Sequence, residues 1–134
     1  MIDQLQNDAV GKLILRLTVG GLMLFHGIAK LLNPGSVEFI GGQLTAIGLP
    51  SLIAYGVYLG EVVAPLMIIV GVLTRVGGLL LVINMLFAVL LVHSGDIFSL
   101  TEHGGWRLEL QGFYCFGGLA LMFLGSGKLA VKPD

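Results

Sequence analysis

The sequence predicts an all-α, polytopic membrane protein: a bundle of four transmembrane helices, with a short interfacial helix between spans one and two. Of its 134 residues, 56% are hydrophobic and 11% are charged, whereas a soluble domain has about 25% charged residues. The apolar residues form continuous windows of the roughly 20 residues that a helix needs to cross the hydrocarbon core. They lack the alternation of a barrel strand. We expect a single membrane domain over residues 1–134.

Four windows are predicted as spans, at about residues 11–32, 51–74, 76–93 and 108–125. The first follows a polar, acidic start without a small-residue cleavage site, so we expect a retained helix rather than a signal peptide. Arg75 alone separates the second window from the third, which predicts a tight hairpin.

Two connections are longer than this hairpin. In the first, Asn33-Pro34-Gly35 and Gly48-Leu49-Pro50 act as breakers around residues 36–47. This arrangement predicts a short helix that lies in the membrane interface. The second connection, residues 93–107, is polar and predicts a loop.

Lysine and arginine near the span ends predict the orientation, because these residues are enriched on the cytoplasmic side. We expect both termini in the cytoplasm and both longer connections outside, with Arg16 extending to the nearest interface. Five basic residues lie on the predicted inner side and two on the outer side: Lys12, Arg16, Arg75, Lys128 and Lys132 against Lys30 and Arg107.

Glu61 is an acid inside the otherwise uncharged second window. Counted at about 1.5 Å per residue, it lies about 15 Å from the outer end of that helix. A charged side chain at this depth costs about 2.5–3.5 kcal/mol on insertion scales. Glu61 therefore needs a basic partner, a water-filled cavity or a bound ligand.

Other polar residues fall at similar depths on the outer side. Lys30 lies near the outer end of span one, and His26 lies one turn deeper on the same face. His93 ends span three on that side, and Asn84 would add a hydrogen bond if it faced inward. We predict an outward-facing ligand-binding pocket with Glu61 at its floor, formed by His26, Lys30, Glu61, Asn84, His93, Arg107 and Glu109.

Simpler interpretations of these residues stay open. Lys30 would extend to the membrane interface, and His93 would be a solvated helix end. Glu61 would only join helices through hydrogen bonds. Haem ligation by His26 and His93 is disfavoured, because no further feature supports it. No metal site is expected, since the histidines and acids of the 93–107 connection are too loosely spaced for zinc. The single cysteine excludes an internal disulfide, and the absence of a basic patch excludes nucleic acid.

Small residues recur at helical spacing on two spans. Gly56, Gly60 and Ala64 are four residues apart on span two, and Gly20 and Gly27 lie seven apart on span one. Such residues let helix backbones approach closely in a membrane. We therefore expect Glu61 to lie beside a close helix contact.

The sequence resembles the DoxX family of small bacterial membrane proteins over about residues 10–132, because several motifs occur in the same order as in that family. The resemblance implies a four-helix protein of the bacterial inner membrane. The family takes its name from a subunit of an archaeal thiosulfate:quinone oxidoreductase, which makes quinone one candidate for a cofactor that the sequence leaves open. The motifs are Arg16-x3-Gly20, Phe25-His26-Gly27-Ile28-Ala29-Lys30-Leu31, Gly48-Leu49-Pro50, Glu61, Gly71-Val72-Leu73-Thr74-Arg75, Gly104-Gly105-Trp106 and Gly125-Ser126-Gly127-Lys128-Leu129.

Three functional hypotheses follow. The first is a redox-associated accessory protein, or subunit of a membrane oxidoreductase, that binds a quinone-like or other small amphipathic ligand. The sequence has no flavin, haem or iron–sulfur motif, so a partner would move the electrons. The second is a non-enzymatic scaffold for membrane or periplasmic proteins. The third is a small proton-coupled transporter, which four helices could form only as a homo-oligomer.

Overall fold

The computed structural model describes residues 2–134, which form a bundle of helices without a β-sheet. The predicted all-α fold is confirmed, including the short helix after span one. Three of the described helices are long and apolar enough to cross a membrane, namely Asp8–Leu32, Ser51–Val70 and Thr74–Val92, and Glu109–Leu124 is a shorter apolar helix. The helices are α1 (Asp8–Leu32), α2 (Gly35–Ala46), α3 (Ser51–Val70), α4 (Thr74–Val92) and α5 (Glu109–Leu124).

The hairpin between α3 and α4 differs from the prediction. The predicted second span continued to residue 74, but α3 ends at Val70 and Arg75 lies in the first turn of α4. Gly71 (φ 77°) and Leu73 (φ 50°) both adopt left-handed backbone conformations in the turn. A left-handed glycine commonly ends a helix, but the apolar Val72 and Leu73 hid this boundary in the hydrophobicity pattern. The other predicted ends lie within three residues of the observed ones.

Two apolar clusters hold the bundle together. The larger one joins α1, α3, α4 and α5 through Val19, Met23, Ile68, Leu81, Met85, Tyr114 and Leu121. The smaller one seats Val37 and Leu44 of α2 against Ala54 at the start of α3. Helix α2 therefore covers one end of the bundle, which we call the α2 end.

The small residues predicted to mediate close packing do so at three positions. A Cβ atom added to Gly20 would lie 3.0 Å from the Pro65 carbonyl oxygen, one on Gly60 would overlap Asn84, and one on Gly27 would overlap the Glu61 backbone. Gly56 differs, since an added Cβ atom there meets open space. The glycines of α1 thus bring it against α3 around Glu61.

Arg16 is buried, with 1% of its surface exposed, so the prediction that it extends to the interface is wrong. Its Nε donates to the Ile68 carbonyl at 2.9 Å and its Nη2 to the Ile69 carbonyl at 2.8 Å. Its Nη1 donates to the carbonyls of Ser126 at 3.1 Å and Leu129 at 2.6 Å. Two of these acceptors belong to the last turn of α3, where carbonyls lack helical partners and the helix dipole favours a cation.

The segment after α5 folds over the same end of the bundle, which we call the Arg16 end. Val131 N–H donates to the Val70 carbonyl at 3.0 Å, and Lys132 N–H donates to the Gly71 carbonyl at 3.1 Å. Arg75 Nη1 donates to the carbonyls of Met122 and Phe123, in the last turn of α5, at 2.7 and 2.9 Å. Each of these two helix ends is therefore capped by an arginine.

Replacing Arg16 with Met leaves four carbonyl groups without their donors in a buried site. At about 1–3 kcal/mol for each unpaired group that stays dry, we expect the free energy of unfolding to fall by about 3 kcal/mol or more. Arg16→Lys should recover only part of this loss, because a single ammonium group cannot donate to all the carbonyls that the planar guanidinium group reaches. Chemical unfolding in detergent measures these values.

Arg75→Met is the matched control, because this arginine also caps a helix end but is exposed. Water can replace its hydrogen bonds, so we expect a loss of about 1 kcal/mol. Equal losses for the two methionine variants would contradict the role given to Arg16.

Candidate ligand-binding site

A cavity of about 570 Å³ lies between α2, α3 and α4. Its volume falls in the range of ligand pockets, which are mostly apolar with a few placed polar groups. Apolar side chains of all three helices form most of its wall. The polar residues that line it are Lys30, Ser36, Glu61, Asn84 and His93.

Glu61 has a partner on each carboxylate oxygen. Lys30 Nζ donates to Oε1 at 2.5 Å, and Asn84 Nδ2 donates to Oε2 at 2.9 Å. Glu61 is 4% exposed, while the Lys30 side chain is 23% exposed. A buried charge requires both an opposite charge and hydrogen bonds, and this cluster supplies both. The basic partner that the sequence offered as one of three alternatives is present, and an apolar cavity lies beside it.

The backbone at Glu61 is a π-helical turn, Leu59–Val63, within α3. Ala64 N–H donates to the Leu59 carbonyl, five residues earlier. Pro65 has no N–H group, so it cannot bond to the Glu61 carbonyl four residues before it, and its ring crowds that carbonyl. Isolated π turns are rare and are often found at functional sites. Pro65 explains why α3 departs from regular α geometry at this position.

Gly27 of α1 faces the Glu61 backbone, where a side chain would overlap the Glu61 carbonyl. The two backbones can therefore lie in direct contact, which places Lys30 beside the carboxylate one turn later. Tyr58 Oη donates to the Lys30 carbonyl at 3.3 Å and links the end of α1 to α3. The position of Lys30 thus depends on a glycine and a tyrosine as well as on Glu61.

Four of the seven predicted site residues line the cavity, namely Lys30, Glu61, Asn84 and His93. His26 is exposed on α1, and its ring packs edge-on against Tyr114 of α5, with 5.7 Å between ring centroids. Gly27, and not its neighbour His26, occupies the contact between α1 and α3. Sequence spacing placed His26 and Lys30 on one face but could not show which residue of α1 meets α3.

Arg107 and Glu109 lie outside the cavity. Arg107 Nε is 3.9 Å from Asp96 Oδ1, and Asp96 Oδ2 is 3.6 Å from His93 Nδ1. Arg107 thus reaches the cavity indirectly, through the acid that faces His93. Glu109 is exposed at the start of α5. A ligand-binding role for each of the seven residues stays a prediction.

Sequence reasoning missed the contribution of α2 to the cavity. Ser36, Phe39, Ile40 and Leu44 all line it. Helix α2 mixes small, apolar and polar residues with little separation into faces, so its sequence gives no sign of which side meets α3 and α4. The serine at the start of the predicted interfacial helix was the available signal, but it is also an ordinary helix-start residue.

The fold and the cavity define a small helical membrane protein with an internal polar cluster. The sequence profile of the DoxX family matches residues 11–94. The chain belongs to the DoxX family, which confirms the resemblance of its motifs.

Two relatives cover most of the chain. A Bacillus subtilis protein named "Putative oxidoreductase CatD" is 31% identical over 125 residues, which is 92% of this chain and 86% of the relative. A Haemophilus influenzae protein named "Uncharacterized protein" is 32% identical over 120 residues, covering 87% of this chain and 84% of the relative. No solved structure gives a significant match.

A pair of glycine substitutions tests the contact that positions Lys30. Gly27→Ala should push α1 away from Glu61 and lower the free energy of unfolding by about 1–3 kcal/mol, as overpacking does. Gly21→Ala is the control, because an added Cβ atom there has nothing within 4 Å. It should be neutral or stabilising by about 0.5–1 kcal/mol, since alanine favours helix interiors. Equal stabilities of the two variants would show that the α1–α3 contact is not close.

Proposed function

We propose that this protein is a redox-associated accessory protein that binds a quinone-like or other small amphipathic ligand in the cavity between α2, α3 and α4. The observation that carries the proposal is the cluster of Lys30, Glu61 and Asn84 at one side of an apolar cavity. A polar cluster and an apolar wall match the two parts of an amphipathic molecule. The name of the Bacillus subtilis relative supports the association with oxidoreductases.

The cluster fits a carbonyl-bearing headgroup. Lys30 Nζ has three N–H donors, and its bond to Glu61 uses one of them. The partly exposed ammonium can therefore donate to a ligand carbonyl. Asn84 Nδ2 bonds to Glu61, which leaves the amide oxygen as an acceptor for a ligand hydroxyl. A quinone fits this donor and acceptor pair in its oxidised and reduced forms.

The residues of the chain would bind and orient the ligand. A bound quinone supplies the capacity to accept two electrons and two protons, which the described side chains do not supply themselves. The Glu61 carboxylate, which has a partner on each oxygen, would hold the Lys30 ammonium aimed at the headgroup. The sequence has one cysteine, Cys115, so a dithiol couple within it is excluded. A partner oxidoreductase would exchange electrons with the ligand.

We also propose that the protein lies in the bacterial inner membrane, with both termini in the cytoplasm and the α2 end outside. The basic residues of the Arg16 end support this orientation. Arg16 itself is buried as a structural group, so the argument depends on the other four. These are Lys12, Arg75, Lys128 and Lys132, against Lys30 and Arg107 at the α2 end.

Glu61→Gln should weaken binding of decylubiquinone, used as the probe, by about tenfold or more. It removes the charge that holds Lys30, and a hydrogen bond to a charged group contributes about 1.5–3 kcal/mol. Titration of the purified protein in detergent measures binding, and mass spectrometry of the wild-type protein identifies copurifying quinone. Glu102→Gln, an exposed acid of the connection before α5 that does not line the cavity, is the control and should bind normally.

A wild-type protein that neither copurifies with nor binds any quinone or lipid would contradict the proposal. The scaffold hypothesis predicts a different pattern in cells. There, Glu61→Gln would keep the function and a bulky residue at Gly56 would abolish it.

A further inference from the structure

The rim of the cavity and its floor differ in polarity. The carboxylate of Glu61 is buried, and Lys30 and Asn84 are half-buried. Large side chains that both line the cavity and are exposed at its rim are apolar. They are Phe39, Ile53, Leu59, Ile83, Phe87 and Val92.

The rim opens on the side of the bundle at the level of the polar cluster. Leu59 lies two residues before Glu61 on α3, and Ile83 lies next to Asn84, in the middle of α4. Both helices are long and apolar enough to cross a membrane. Leu59 and Ile83 both line the cavity and are exposed, so this part of the rim faces acyl chains.

Helix α2 restricts the alternative route from water. Leu44 is fully buried against the start of α3 and lines the cavity together with Ile40. Ser36 and His93, the polar lining residues at this end, are partly buried. Helix α2 therefore covers the part of the cavity next to the start of α3.

The charges of the cluster balance. Lys30 and Glu61 form an ion pair, and Asn84 is neutral, so the cluster offers directional hydrogen bonds without net charge. A charged headgroup would also have to cross the apolar rim, where a charge costs about 2.5–3.5 kcal/mol on insertion scales. Both features favour an uncharged headgroup.

From these observations we propose that the ligand is an uncharged amphiphile that enters from the bilayer, sideways between α3 and α4, past Leu59 and Ile83. This inference depends on the proposed function, because it assumes that the cavity is the ligand site. It adds the chemical class of the headgroup and the residues that control entry.

Tryptophan substitutions at the rim test the route. Ile83→Trp and Leu59→Trp should narrow the opening and slow association of decylubiquinone about tenfold or more, measured by stopped-flow with the protein in lipid nanodiscs. Leu86→Trp is the matched control: Leu86 is on the same helix and 50% exposed, but it lies away from the cavity. It should leave the rate unchanged.

The outcomes separate the two proposals. Wild-type protein that does not bind the probe would contradict the proposed function. Binding whose rate is the same in the wild type, Ile83→Trp and Leu59→Trp would overturn the side entrance and leave the ligand site intact. An equal slowing by Leu86→Trp would also overturn it, since the effect would then not depend on the rim.

Headgroup charge is tested with three probes of equal chain length, decanol, decanoate and decyltrimethylammonium. We expect wild-type protein to bind decanol about tenfold more tightly than either ion. Glu61→Gln leaves the Lys30 charge unbalanced, so this variant should shift the preference toward decanoate by about tenfold. Wild-type binding of decanoate as tight as that of decanol would overturn the choice of an uncharged headgroup.

Discussion

The contact among Lys30, Glu61 and Asn84 is the interaction on which the site depends. It links α1, α3 and α4 through one carboxylate, and it lets that carboxylate stay in an apolar region. Pro65 and Gly27 set up its geometry, because the first imposes the π turn at Glu61 and the second lets α1 meet that turn. A proline and a glycine, neither of which carries a polar side chain, thus decide where the charges lie.

The two ends of the bundle differ in structure. The Arg16 end is closed, since Arg16 and Arg75 bind carbonyls from the last turns of α3 and α5. The terminal segment adds backbone hydrogen bonds there. The α2 end holds the cavity and its ion pair. A fixed end of this kind can hold α3 and α4 in register while the cavity between them stays open.

Much of the fold could be predicted, because hydrophobic windows of spanning length leave few alternatives in lipid. The predicted neighbourhood of Lys30, Glu61 and Asn84 followed from depth along each helix. Which face of α1 turns toward α3 was harder to predict, because α1 carries apolar residues on every side. For this reason His26 was assigned to the pocket. Arg16 was misjudged because its partners are backbone carbonyls, which leave no complementary residue in the sequence.

Infrared difference spectroscopy of the wild-type protein against Glu61→Gln, in lipid, tests the account most directly. It reports the charge state of this one carboxyl group and its response to a ligand. The account predicts the band of an ionised carboxylate, which shifts when decylubiquinone is added. The band of a protonated carboxyl group that does not respond to the probe would contradict both the ion pair and its place in the ligand site.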